Sequence, residues 1–212
     1  MIYEFPAESE PIRQGDIFIR MPKVGLSLRT LQVIDPEGVT SSANWAEIAK
    51  AGRPVSVGAG LIPVTAIVVT QDCDAVRAPE IVLCEIKRFP EVEASAKDKT
   101  NPKRLANLIT QQSKINQKWF YLPPDPKIGF DTKMAADFRL TLRVLRDDIE
   151  MFKFLRVGRL NDLAEAHFRE RLGEFFRRYP YDEWYNLSAD EFREYNKDRG
   201  GVVKPFPWQV KS

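Results

Sequence analysis

The stretch LIPVTAIVVTQDCDAVRAPEIVLCEIK, residues 61–87, holds two apolar β-branched runs separated by a polar, acid-rich turn. The runs at 61–70 and 81–87 are too short for typical helices and rich in Val and Ile, so both read as central strands of a sheet. Pro63 cannot donate to a ladder and is expected near the start of its strand. Asp72 and Asp74 suit the connecting turn, because their short side chains accept hydrogen bonds from nearby backbone amides.

Upstream, QGDIFIR (14–20) reads as a turn feeding a short strand, and LRTLQVID (28–35) as a second strand closed by Pro36-Glu37-Gly38. A brief helix is expected over 42–51, ended at Gly52. Downstream, Leu105, Leu108, Ile109 and Ile115 give helical spacing over 102–116, and Trp119–Leu122 is a strand stopped by Pro123-Pro124. Phe138, Leu140 and Leu142 alternate with Arg139, Thr141 and Arg143, the mark of a half-buried antiparallel strand.

The last third changes character. Leu160, Leu163, Ala164, Phe168, Leu172, Phe175 and Phe176 form one helical stripe, and Asp162 with Glu165 has the spacing of a capping box. A shorter helix from Ser188 and a Gly/Pro-broken tail follow, with Phe206 and Trp208 there to pack on the body or on a partner. Many short strands followed by helices predict an α+β fold. The expected layout is a small, mostly antiparallel β-barrel-like body over 10–145, holding one or two inserted helices, and a C-terminal helical extension and tail over 146–212.

Composition narrows the function classes. The 212 residues are 43% hydrophobic and 29% charged, which is the balance of a globular chain able to bury a core. No apolar run approaches the ~20 residues of a membrane span, and the N-terminal stretch lacks a basic segment followed by an apolar one, so a cytoplasmic location without membrane contact is expected. Cys73 and Cys84 then read as thiols. The single His167 excludes a multi-histidine zinc site, and VGAGLIP lacks the lysine of a phosphate loop.

A net charge of +2 gives the whole molecule no pull on nucleic acid. Residues 97–118 are the local exception, with six basic residues against one acid. Lys103, Arg104, Lys114 and Lys118, next to Trp119, make a candidate nucleic-acid-binding set: cations for phosphates and a ring for unpaired bases. Alternation along a strand would instead send at least one ring of Trp119-Phe120-Tyr121 into the core.

Two resemblances point to chemistry. Asp74, with Glu85 and Lys87 sharing one strand face, is similar to the Asp…Glu-x-Lys signature of restriction-endonuclease-like nucleases. The resemblance implies magnesium on Asp74 and Glu85, water activated against a phosphodiester, Lys87 stabilising charge and Glu47 as a further acid; outside it no cofactor is expected. QGDIFIRMP, VVTQDCD and RVGRLNDLAEAHFRERLGEFFRRY look like a set of small bacterial proteins. Their Gly15-Asp16-Ile17 opening is similar to that of PemK/MazF-like toxins, which fold as SH3-like barrels and cut RNA without a metal. Arg53-Pro54-Val55 is similar to the toxins' strand entry, but Gly58-Ala59-Gly60 interrupts what should follow, and no acid and base stand at their motif positions. The resemblance therefore implies an accessory or interaction module of a bacterial mobile-element, toxin–antitoxin or phage-defence system. Its implied partner is a protein, with nucleic acid as a second candidate. The magnesium-dependent nuclease is the alternative, and the sequence leaves both catalysis and oligomeric state open.

Overall fold

The computed structural model describes residues 2–94 and 118–177, with Ala106 and Ile109 between them. Apart from Ala106 and Ile109, the expected helix over 102–116, with Lys103, Arg104 and Lys114, lies outside the described residues, as do the segment from Ser188 and the tail. In chain order the elements are β1 (Tyr3–Glu4), β2 (Asp16–Gly25), β3 (Leu31–Ile34), β4 (Thr40–Ala43), α1 (Trp45–Ala51), β5 (Ser56–Gly58) and β6 (Gly60–Val68). There follow α2 (Asp72–Ala75), β7 (Glu80–Arg88), α3 (Phe89–Val92), β8 (Trp119–Leu122), β9 (Met134–Leu145), α4 (Arg146–Met151), β10 (Arg156–Leu160) and α5 (Asp162–Arg177).

Every described strand pair is antiparallel. The fold is α+β: a seven-stranded sheet in the order β1-β10-β2-β6-β7-β9-β8, a second sheet β4-β3-β5, and helices. The two apolar runs of 61–87 are neighbours, with Ile67 opposite Cys84 and Val68 opposite Leu83. The Gly-Asp-Ile strand lies on the other side of β6, with Ile17 opposite Ile67, as a barrel-like body requires.

The large sheet curls into a half-barrel. Tyr3, on edge strand β1, donates its hydroxyl to the carbonyl of Pro123 at 2.8 Å, just past the opposite edge strand β8. Its ring meets Phe130 edge-on at 6.1 Å. The core cluster holding Tyr3, Leu122, Ile128 and Phe130 lines the inner face, and Ala164, Phe168 and Phe175 of α5 cover it. Phe168 is fully buried, with Phe120 at 5.2 Å and Phe138 at 5.8 Å. On the outer face Phe18, Met21, Val68, Leu83 and Leu142 pack under Ala75 of α2 and Ile149 of α4.

Three sequence readings are corrected here. Phe138 and Leu142 do not share a face: Cys84 pairs with Thr141 but Ile86 pairs with Ala136, and this bulge in β9 turns Phe138 inward and Leu142 outward. Of the terminal stripe, Ala164, Phe168, Leu172 and Phe175 pack on the core from the helix; Leu160 is buried in the same core but belongs to β10, while Leu163 and Phe176 are exposed. The helix is capped by Asn161, whose Oδ1 accepts from the Ala164 amide at 3.0 Å, and Glu165 is free for other work. In the large sheet β10 is an interior strand between β1 and β2.

Both cysteines are free, Cys73 exposed and Cys84 buried. Burial pushes the Cys84 thiol up to about 12, with the Asp137 carboxylate adding to the shift. A thiol reagent at pH 8 should therefore modify one group per folded chain, Cys73, and two after denaturation. Rapid labelling of Cys84 in the native protein would show that this face of the sheet opens. No helix among the described residues is long and apolar enough to cross a membrane.

Candidate functional site

The chain's most distinctive motifs meet in one network of charges. Asp16, fully buried in β2, takes the Arg159 Nε–H on Oδ1 and the Arg156 Nη1–H on Oδ2 at 2.9 Å, both guanidinium groups coming from β10. The Arg13 amide adds a third donor at 3.0 Å. Asp72 accepts the Gln14 amide at 2.8 Å and the Arg13 side chain at 3.3 Å. Buried Glu165 of α5 pairs with Arg13 and Arg169, and Arg169 also donates to Gln14 at 3.0 Å. QGDIF, QDCD, RVGRL and α5 are thus joined through side chains that all hold partners. The acids and bases neutralise one another within the protein, so the network serves to fix these elements together.

Glu85 and Lys87 do come together. Glu85 is buried on the outer face of β7, with Lys23 Nζ at 2.6 Å and Lys87 Nζ at 3.8 Å. Asp74 stands elsewhere, exposed on α2, where its carbonyl accepts the Arg77 and Ala78 amides. No hydrogen bond or ion pair joins Asp74 to Glu85 or Lys87. Among the described residues no group of three His, Cys, Asp or Glu side chains is placed to hold a metal. One acid flanked by two lysines does not fit a magnesium ion, which needs several oxygen ligands in octahedral array. Glu47 is also engaged: with Asn44 it forms the capping box of α1, through bonds of 3.0 and 3.1 Å.

Lys118 is exposed, but Trp119 is buried beneath it. Its ring lies 4.7 Å from Phe89, edge-on, and its indole N–H donates to Glu93 at 3.2 Å. That ring is part of a small apolar cluster with Ala135 and is not a surface on which a base can stack.

What sequence reading missed is an arm. From Met21 on β2 and up to Val64 on β6 no third strand among the described residues joins the ladder, leaving a two-stranded ribbon in which Pro22 faces Pro63. Free ribbon edges tolerate the two missing amides. The ribbon carries the second sheet and α1, whose strands neighbour mainly one another. Between Val24 and Ile62 only Leu31 and Ile48 are buried apolar residues, yet nine of the seventeen exposed large apolar side chains among the described residues lie there. Val24, Leu61 and Val39 are each more than half exposed. Arg29, Lys50 and Arg53 balance Asp35, Glu37 and Glu47, so the arm carries no net charge over this span. The facing prolines were the available signal, since a central strand would not hold them.

No family model and no curated protein matches the chain.

Proposed function

We propose that the chain is a protein-interaction module whose arm docks on a second copy of itself. The carrying observation is the concentration of exposed apolar side chains on an arm with two buried ones of its own. Such a surface is stabilised by covering it, at about 25 cal/mol per Å² of apolar area removed from water. The balance of three cations and three anions opposes attraction to nucleic acid and sets no like-charge barrier between two copies. The outer strands β4 and β5 add two backbone edges that no strand among the described residues pairs, which an antiparallel copy can complete symmetrically. The bacterial mobile-element, toxin–antitoxin or phage-defence setting rests on the resemblance of the Gly-Asp-Ile opening and its companion motifs to PemK/MazF-like and related small bacterial proteins.

Sedimentation velocity on the full chain tests the reading. The wild type should run at twice its 24.4 kDa mass at tens of micromolar. Val24 and Leu61 face each other across the ribbon, so Val24→Lys with Leu61→Glu keeps a cross-strand pair while making the surface polar. That double variant should be monomeric and, as a surface change, lie within about 0.5 kcal/mol of wild-type stability. A wild type that stays monomeric, or a double variant that associates as well as wild type, refutes the proposal.

A further inference from the structure

Away from the arm's tip, the outer face of the large sheet carries an open apolar pocket of about 320 Å³. Its walls include Met21 from β2, Val144 from β9, and Ile149 and Phe152 from α4 and its end. Two charged residues, Arg20 and Asp148, stand among these apolar walls. Arg20 has a φ of 57°, in the left-handed region that a side chain with a Cβ seldom adopts. It sits where the β2–β6 register shifts between Phe18 and Met21, so the bulge sets the direction of its side chain. Neither Arg20 nor Asp148 forms an ion pair or a side-chain hydrogen bond, with each other or with any other described residue. Phe154, exposed and 6.1 Å from Phe152 ring to ring, continues the apolar surface beyond the pocket.

A pocket of this size, apolar but for an unpaired cation and an unpaired anion, matches a ligand with an apolar centre and charges of both signs beside it. The exposed aromatic residue continuing outside favours a chain of residues over a small enclosed molecule. We propose that this pocket takes a peptide segment of a partner protein, seating one bulky apolar side chain between an acidic residue that meets Arg20 and a basic residue that meets Asp148. The pocket meets the arm only at its base, through Met21 and Pro22, and neither Val24 nor Leu61 lines it.

A library of random dodecapeptides displayed on phage, selected against the full chain, supplies the probe. Enriched peptides should share a Leu, Ile, Met or Phe with an acidic residue within three positions of it. A fluorescein-labelled synthetic peptide of the enriched sequence should bind at least tenfold more weakly to Val144→Trp, which fills the pocket. Arg20→Glu, a change at an exposed side chain, should weaken the same peptide at least tenfold and recover it when the peptide's acid is replaced by lysine. This charge swap decides the matter even where Val144→Trp fails to fold. The Val24→Lys/Leu61→Glu variant should bind the peptide as wild type does. Failure to enrich any peptide, or an enriched peptide indifferent to Arg20→Glu, overturns the proposal.

Discussion

Asp16→Ala should destabilise the protein by about 3–5 kcal/mol, because it removes the buried carboxylate that bonds both Arg156 and Arg159 and leaves only the more exposed Glu10 and Glu4 paired with Arg159. The side chains of Arg156 and Arg159 are each only 2% exposed, so water cannot replace the lost carboxylate. For a domain whose whole stability is roughly 5–15 kcal/mol, a loss of that size approaches unfolding. Asp16→Leu combined with Arg159→Met should recover part of the loss, since an apolar pair of similar volume removes one charge from each side of the network. Denaturant unfolding of the two variants provides the check. A loss below about 1 kcal/mol for Asp16→Ala would mean that water, together with Glu10 already 3.2 Å from Arg159, suffices for the two arginines.

Phe168→Ala should cost about 3–5 kcal/mol by the same measurement, the range for truncating a fully buried phenylalanine. Phe168 inserts from α5 between Phe120 of β8 and Phe138 of β9, so its removal leaves a cavity at the junction of three elements. Leu163→Ala, on the exposed side of the same helix, should change stability by no more than about 0.5 kcal/mol. Equal effects at the two positions would place the helix on the sheet by its other face.

The local alphabet of this fold was legible. Short β-branched or aromatic runs bounded by turn residues yielded β2, β6, β7 and β8, and the 3.6-residue spacing around Phe168 and Phe175 yielded α5, because these signals act within one element. Pairing between distant residues was not legible: Asp16 meets Arg159 across 143 positions, and nothing in either segment names the other. The β9 bulge escaped for a related reason, since an inserted kink leaves the alternation of Phe138, Leu140 and Leu142 intact on paper while reversing their faces. At the candidate site, Glu85 and Lys87 met because residues two apart on a strand share a side, a purely local rule. Asp74 did not join them, because its place depended on how the turn after β6 folds: α2 forms there, and Asp72, not Asp74, reaches across to Gln14. The arm was hidden by composition, because an apolar run such as LIPV reads as core whether or not anything covers it. Trp119 was settled by its neighbours Phe89 and Glu93, which close on it from the opposite side of a long sequence gap.

The central claim, that the arm is the surface on which two copies meet, is tested most directly by amide hydrogen exchange on the intact chain. Exchange is followed at two concentrations, one where the chain sediments as a monomer and one where it is associated. The account predicts slower exchange at the higher concentration in β4, β5 and the ribbon Met21–Gly25 with Gly60–Val64, and unchanged exchange in β7 and β9. Exchange in the arm that does not vary with concentration, or protection gained in another part of the fold instead, would contradict it.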